Sequence, residues 1–190
     1  MAWVKNLQLT NFRCYDSVRL ADLPLGPVVL YGPNGAGKTN ILEAVSFLTP
    51  GRGLRGVKIT DVQRREAADP AWAVAAHVET AYGETRMGTG RDLQSNKRIV
   101  RINGETAKGQ NALAEYLACV WLTPQMDRIF IDSSSVRRRF LDRLVFAFDA
   151  SHAGRITRYE NAMAQRSKLL KENKSPDPAW LDGLEAKMAE

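Results

Sequence analysis

The sequence predicts an α/β fold followed by a helical region, and three observations lead to this prediction. A glycine-rich segment at residues 32–39 lies between an apolar run and a stretch with helical spacing. The middle of the chain holds short runs typical of strands. From Ser133 onward the apolar residues take the spacing of helices. We therefore expect one domain at residues 1–132 and the beginning of a helical one at residues 133–190.

The first strands and the first helix follow from the hydrophobic pattern. Trp3 to Leu9 alternates polar and apolar residues, which predicts a half-buried strand. Val28 to Tyr31 is continuously apolar, which predicts a strand buried on both faces. After the glycine-rich segment, apolar residues recur at helical spacing: Ile41, Leu42, Val45 and Leu48. Pro50 and Gly51 are expected to stop this helix.

The middle of the chain is predicted to be rich in β-structure. Three strands are expected, at Val74 to Thr80, Thr85 to Thr89 and Ile99 to Ile102. The third runs into Asn103-Gly104, a strong signal for a tight hairpin turn. Asn111 to Leu117 indicates a short helix, and Cys119 to Thr123 indicates a further buried strand that Pro124 closes.

The final third predicts two or three antiparallel helices. Serines 133–135 offer N-caps for a helix that runs through Phe148. A second helical stretch runs from about Ser151 to Asn173, and the prolines at 176 and 178 break it. Trp180 to Met188 then resumes helical spacing.

Composition narrows the class of protein. Of 190 residues, 44% are hydrophobic and 25% are charged, which is typical of a globular protein and excludes wholesale disorder. The net charge of +6 permits a polyanionic partner. Cys14 and Cys119 lack metal-site spacing, and we expect buried thiols in a reducing compartment. The start lacks a signal peptide, and no apolar run approaches the roughly 20 residues of a membrane helix. We therefore expect a cytoplasmic protein without membrane contact.

The glycine-rich segment fits the phosphate-binding loop GxxxxGK[ST] in full. Its residues are Gly32, Pro33, Asn34, Gly35, Ala36, Gly37, Lys38 and Thr39. Glycines let successive backbone N–H groups point at phosphate oxygens, and the following helix adds its positive end. Lys38 is expected to reach the β- and γ-phosphates, and the Thr39 hydroxyl to ligate Mg²⁺. The loop predicts nucleotide binding, but it does not choose between ATP and GTP or between hydrolysis and transfer.

Two further motifs bear on that choice. A GTPase would usually carry an Asn-Lys-x-Asp motif that reads the base, and this sequence has none. Hydrolysis also needs an acid for the metal at the end of a strand. Ile129-Phe130-Ile131-Asp132 has this pattern, but it follows Thr123 too closely for a crossover connection. Asp132 is therefore better interpreted as a turn or cap residue than as the metal-site acid.

Several strings together resemble a known family. "LQLTNFRCYDSVRL" followed by "GPNGAGKTNILEAVSFL" is similar to ATPase heads of the SMC-like branch of the ABC superfamily. "GRGLRG", "LTPQMDRIFIDSSSVRRRFLD" and "YENAMAQRSKLLKE" resemble the RecF family of bacterial DNA replication and repair proteins. The family usually has an acid where this chain has Gln125, and a Gly and a Pro near Asp132. Three further features of the family belong to a C-terminal segment: the Leu-Ser-x-Gly-Gln signature, an apolar strand that ends in Asp, and a catalytic acid. None of them occurs in this sequence, so we expect an N-terminal fragment.

The resemblance implies a fold and a set of roles. Residues 1–132 would be lobe I of an ABC/SMC-like P-loop ATPase head, a mixed sheet around a central P-loop helix, and 133–190 the beginning of helical lobe II. The loop and Asn40 would bind ATP, with Arg13 lying against the nucleotide. Thr39 would ligate the Mg²⁺ ion, and Gln125, at the end of the strand from Val120 to Thr123, would be the residue that touches Mg²⁺ or water. Because the acid and signature lie elsewhere, this fragment is expected to show little or no hydrolysis.

The resemblance also implies partners. ATP would clamp two heads into a homodimer, and slow hydrolysis would release them. The complete protein would bind single- and double-stranded DNA at gaps or junctions and act with the recombination mediators RecR and RecO. These roles belong to DNA repair, replication and recombination and to the SOS response to DNA damage.

Two arginine-rich segments are candidate DNA contacts. Arg137, Arg138 and Arg139 stand in the first turn of a predicted helix, where cations oppose the positive helix end. Such an arrangement would suit a docked phosphate, but pairing with Asp132 and Asp142 or simple solvation of an exposed face is the favoured explanation. Arg52, Arg55 and Lys58 could neutralise DNA phosphates without reading bases, or could be a solvated surface.

Two other functions remain open from the sequence. The chain could be a nucleotide-gated dimerisation or interaction module without turnover. It could also be a small-molecule kinase on the same loop, but the β-rich middle and the long helical hairpin fit a kinase poorly.

Overall fold

The computed structural model describes residues 2–68, 70–149, 151–172 and 177–189. Within these residues six antiparallel strands form one sheet in the order β2-β1-β3-β4-β5-β6. The strands are β1 Trp3–Phe12, β2 Tyr15–Leu20, β3 Ala73–Thr80, β4 Gly83–Arg91, β5 Arg98–Ile102 and β6 Glu105–Thr106. The helices are α1 Lys38–Ser46, α2 Ser134–Phe146, α3 His152–Glu172 and α4 Pro178–Ala189. Short 3-10 helices lie at Ile59–Asp61, Gln110–Glu115 and Pro124–Arg128.

One face of the sheet is buried, as expected from the alternation of polar and apolar residues along its strands. Leu7 and Leu9 of β1 pair with Ala76 and Val74 of β3, and all four side chains are buried. Successive side chains of a strand point to opposite faces, so this register puts the apolar set on one side. Helix α1 contributes buried residues to the same core.

An aromatic cluster joins α1 to the sheet. Phe12, Phe47 and Trp72 are fully or almost fully buried, and their ring centroids lie 5.3–6.0 Å apart in edge-on pairs. Trp72 also donates its indole N–H to the carbonyl of Ile59 at 2.8 Å, so the polar group of the buried ring has a hydrogen-bond partner. The cluster therefore holds the end of α1 against β1.

The hairpin predicted at Asn103-Gly104 is confirmed. Both residues have positive φ, 52° and 90°, and they connect β5 to β6 with Ile102 opposite Glu105. Two successive left-handed residues make the type I′ turn, whose twist matches that of antiparallel strands. The Asn103 side chain also accepts a hydrogen bond from the backbone N–H of Arg86 at 2.9 Å.

Two predicted strands are absent from the described residues. The segment from Val28 to Tyr31 pairs with no strand, and Tyr31 is 92% exposed. The segment from Cys119 to Thr123 has no strand either, and Leu122 is largely exposed. A strand buried on both faces needs hydrogen-bonding neighbours at its edges, and the described sheet supplies none to these segments. The prediction of buried strands is therefore wrong for this structure.

Other differences from the prediction concern one additional strand, one helix type and the ends of elements. Strand β2 was not predicted, and the helix expected at Asn111 to Leu117 is the 3-10 helix Gln110–Glu115. Helix α2 ends at Phe146 instead of Phe148. The break predicted at 175–178 lies partly outside the described residues. Cys14 is exposed, which corrects the expectation of a buried thiol, and Cys119 is half-buried.

The chain divides into two units, Met1–Asp127 and Arg128–Glu190. The first holds the sheet and α1. In the second, α3 and α4 pack through Ala162, Leu169 and Leu184. The domain boundary expected at residue 132 stays a prediction. Among the described helices, none has both the length and the apolar composition needed to cross a membrane.

Candidate nucleotide-binding site

The glycine-rich segment folds into a tight loop at the start of α1. Gly32, Gly35 and Gly37 have φ of 143°, 85° and 90°, a region that residues with a Cβ rarely enter. Gly37 is the N-cap residue of α1, and its carbonyl accepts from the N–H of Asn40 at 2.7 Å. The loop therefore turns directly into the helix, and the unpaired N–H groups of the first helical turn face the loop.

Close contact with the β1–β2 turn restricts Gly37 further. A Cβ at this position would lie 2.5 Å from the Tyr15 hydroxyl and 2.8 Å from the Cys14 Sγ. The Tyr15 hydroxyl donates to the Ala36 carbonyl at 3.3 Å, and burial raises the pKa of this hydroxyl above its ordinary value. The loop is thus packed against the β1–β2 turn, and a side chain at Gly37 would be strained both by this contact and by the positive φ.

The P-loop lysine bonds to its own loop. The Lys38 ammonium donates to the carbonyls of Gly32 and Pro33, at 2.8 and 2.7 Å. These bonds draw the two ends of the loop together and place the positive charge over it. Since an ammonium has three donors, phosphate oxygens can be engaged through the remaining one or by exchange with a carbonyl.

A buried carboxylate lies on the inner face of α1. Glu43 is 0% exposed, and both of its oxygens accept hydrogen bonds from Arg13, Nε at 2.8 Å and Nη2 at 2.6 Å. Arg55 also donates to Glu43 and, at 3.0 Å, to Asn40. Arg13 additionally donates to the Asp61 carbonyl at 2.6 Å. Sequence analysis missed Glu43 because a glutamate in an amphipathic helix normally faces solvent.

A cavity of about 680 Å³ opens beside the first turn of α1. Arg13, Cys14, Asn40 and Arg55 line one side of it. The Asn40 amide donates to the Cys14 sulfur at 3.1 Å, which ties the helix to the β1–β2 turn. Arg13, predicted to lie against a nucleotide, is therefore held next to the loop, with its guanidinium fixed by Glu43.

The predicted metal residues are placed differently from one another. Thr39 lies in the first turn of α1 with an exposed side chain, where a threonine of a phosphate-binding loop can reach a cation. Gln125 is exposed in the 3-10 helix Pro124–Arg128 and does not end a strand as expected. Asp132 lies in a bend before α2, in the second unit. In the described part of the chain, no group of three or more His, Cys, Asp or Glu could hold a metal ion.

The candidate DNA arginines do not share one environment. Arg52 and Lys58 are exposed, whereas Arg55 is engaged with Glu43. Arg137 donates to the main-chain carbonyl of Asp132 at 2.6 Å, not to its carboxylate. Arg138 lies 3.7 Å from Asp142 and stacks over the Tyr159 ring, and Arg139 is exposed. Helix α2 begins at Ser134, so Arg137 stands at the end of its first turn, as predicted, whereas Arg138 and Arg139 lie in the second turn.

Arg98 is a second residue that sequence analysis missed. Its guanidinium donates to the carbonyls of Phe47, Thr49 and Gly51, which follow α1, and it stacks on the Phe47 ring. Burial lowers the pKa of Arg98 to about 10, so the side chain remains charged at neutral pH. A cation at the negative end of a helix is favourable, and Arg98 therefore joins β5 to the end of the P-loop helix.

Replacing Arg98 by methionine should destabilise the first unit. The variant keeps most of the aliphatic packing but leaves the partly buried carbonyls of Phe47 and Thr49 and the exposed carbonyl of Gly51 without their donor, which costs about 2–3 kcal/mol. Urea unfolding followed by tryptophan fluorescence measures the change. Arg101→Met, an exposed arginine of the same strand, is the control and should change stability by less than about 0.5 kcal/mol. Equal effects of the two substitutions would contradict the proposed role of Arg98.

Comparisons with known proteins give the class first. Residues 6–176 match the family described as AAA domain. Because this match covers most of the chain, the chain belongs to the AAA domain family. Individual relatives define the protein more closely than this class does. The chain is 47% identical to the DNA replication and repair protein RecF of Agrobacterium fabrum over 189 residues. It is 46% identical to the RecF protein of Caulobacter vibrioides over 194 residues. The resemblance to the RecF family is thus confirmed.

A solved structure confirms the fold class. The recombination mediator protein RecF-ATPrS in the RecFOR pathway superposes with a TM-score of 0.86 at 24% identity, over 99% of this chain and 50% of that one. The fold of the chain is therefore that of the matched half of this RecF protein. The A. fabrum relative is likewise matched over 98% of this chain and 50% of its own length. The chain spans about half the length of the relatives it matches.

Proposed function

We propose that this chain is the ATP-binding part of a RecF-type DNA replication and repair protein. The observation that carries the proposal is the loop at residues 32–39, in which three left-handed glycines lead into α1 and Lys38 lies over the loop. Backbone amides at a helix start, together with one lysine, form an anion site suited to a triphosphate. Structures named RecF-ATP and RecF-ATPrS share this fold.

Arg13 and Asn40 extend the proposed site beyond the phosphates. Both line the cavity beside the first turn of α1, and the hydrogen bonds to Glu43 and Cys14 hold them there. A nucleotide with its phosphates on the loop would have Arg13 as a fixed cation at its side. Mg²⁺, when bound, would neutralise phosphate charge. Thr39 would be its ligand from α1 and Gln125 the residue near it, with further oxygens from the nucleotide.

The activity of the complete protein is also a proposal. ATP binding would favour a homodimer, slow hydrolysis would release it, and the assembly would bind DNA together with RecR and RecO. The names of the relatives, DNA replication and repair protein RecF, support the DNA role. Calorimetric titration of ATP in the presence of Mg²⁺ tests the nucleotide site directly. Saturable binding is expected, and a folded protein that releases no binding heat would contradict the proposal.

Removing the three arginines of α2 should weaken DNA binding. With Arg137, Arg138 and Arg139 all changed to alanine, the slope of log K against log salt should flatten by roughly 0.9 for each DNA phosphate that the protein no longer neutralises. Fluorescence anisotropy with a labelled duplex, measured over a salt series, gives the slope. The charge-matched control changes Arg86, Lys97 and Arg101, which are exposed on the β-sheet unit, to alanine. An unchanged slope in the α2 variant, or an equal change in both, would assign these arginines to the solvated surface.

A further inference from the structure

The second unit contains a groove between α3 and α4. Two cavities, of about 200 and 310 Å³, lie along these helices. Arg158 of α3 and Lys187 of α4 line both of them. The two cavities therefore meet at this pair of cations. We call this surface the α3–α4 groove.

The cations that line the two cavities outnumber the carboxylates: Arg138, Arg155, Arg158 and Lys187 line them together with one acid, Asp142. Arg138 lies near Asp142, and Arg155 is paired with Asp149. Within the described residues, Arg158 and Lys187 have no carboxylate at ion-pair distance. Both side chains are exposed, so they are available to an anion from outside.

The floor of the groove is apolar. Ile156 and Met188 line the first cavity, and Ala162 and Leu184 line the second. Leu184 and Ala162 are almost fully buried in the α3–α4 core, whereas Ile156 and Met188 are half-buried. A nucleic-acid phosphate would use the two cations but gain nothing from this floor. A peptide that carries an acidic side chain next to an apolar one would use both.

We propose that the α3–α4 groove binds an acidic, apolar peptide segment of a partner protein. The acidic side chain pairs with Arg158 and Lys187, and the neighbouring apolar side chain enters the cavity floored by Ile156 and Met188. Charge complementarity sets the orientation of the segment, and apolar burial supplies the affinity. This proposal does not depend on nucleotide binding, because every residue it uses lies in the second unit.

Selection from a random peptide library displayed on phage tests the proposal. The 190-residue protein is the target, and the variant with both Arg158→Ala and Lys187→Ala is the comparison. The control variant carries Lys168→Ala and Lys171→Ala, two exposed cations of the same α3 helix. Enriched peptides should contain an acidic residue beside an apolar one. As synthetic peptides they should bind the groove variant at least about tenfold more weakly and the control variant unchanged.

Three results would overturn the proposal. The first is a selection that yields no peptides, or peptides without acidic residues. The second is a labelled single-stranded oligonucleotide that loses affinity for the groove variant while no selected peptide does, which would assign the cations to nucleic acid. The third is a change of oligomeric state in the groove variant by sedimentation, which would assign the groove to a second copy of the chain.

Discussion

Replacing Glu43 by alanine is expected to lower the free energy of unfolding of the first unit by about 3 kcal/mol. The carboxylate is fully buried and neutralises Arg13 and Arg55 together. Its removal leaves an arginine that is only 18% exposed without its counter-charge, inside the protein. Breaking one partner of a buried pair usually costs about 3–5 kcal/mol, and the lower value applies because Arg55 is partly exposed and can reach water.

Chemical unfolding with matched variants separates this effect from the loss of any carboxylate. Glu66→Ala removes an exposed acid that pairs with Arg64 at 3.3 Å, and it should cost at most about 1 kcal/mol. Glu43→Gln keeps the shape but not the charge, and it should be destabilised almost as much as the alanine variant. If Glu43→Ala were as stable as Glu66→Ala, the arginines would not depend on Glu43.

The stability loss should have a functional counterpart. Glu43 holds Arg13 beside the loop and Arg55 beside Asn40. In the Glu43→Gln protein, studied well below the midpoint of its thermal unfolding, we expect Arg13 and Arg55 to be held less firmly on the cavity side of the nucleotide site. The binding constant for ATP is the readout that connects Glu43 to the site.

Replacing Lys38 by alanine is expected to weaken ATP binding by about 10- to 100-fold. A charge-assisted hydrogen bond to phosphate is worth about 1.5–3 kcal/mol, and each 1.4 kcal/mol is tenfold in the binding constant. The substitution also removes the two bonds to the carbonyls of Gly32 and Pro33, so the loop loses the link between its ends. Both effects act in the same direction on affinity.

Isothermal titration calorimetry of ATP with Mg²⁺ provides the measurement. Lys97→Ala, which removes an exposed lysine of the β4–β5 connection, is the control and should bind ATP as the parent does. Thermal unfolding of each variant verifies that the first unit remains folded. Equal affinities of the parent and the Lys38→Ala protein would refute the assignment of the loop as the triphosphate site.

Much of the first unit was predictable because local rules and tertiary packing agree there. The alternation in β1 and β3, the Asn103-Gly104 turn and the helix after the P-loop all have short-range causes. The three glycines of the loop also have a local cause. Gly32, Gly35 and Gly37 all have a left-handed backbone, which favours glycine at these positions. The family resemblance, confirmed by the RecF relatives, also rested on contiguous strings of residues.

The buried charged residues were not predictable, because their causes are distant in sequence. Glu43 meets Arg13 from 30 residues away, and Arg98 reaches the Phe47 carbonyl across 51 residues. No local pattern marks a glutamate or an arginine whose partner comes from another element. The two strands that were predicted but not found have a related cause. The continuous apolar runs at 28–31 and 119–123 indicate that these segments tend to be buried, but they do not indicate which strand would pair with them.

The amino-acid sequence by itself determined that this chain carries the pattern of a phosphate-binding loop directly before a helix, and to which family it belongs, because those features depend on neighbouring residues. Only the tertiary structure decided that Glu43 binds Arg13 and Arg55, that Arg98 binds the carbonyls after the end of α1, and that Arg158 and Lys187 line the same two cavities. These arrangements arise from side chains of separate elements that the fold brings near one another, and such proximity is not expressed in the order of residues.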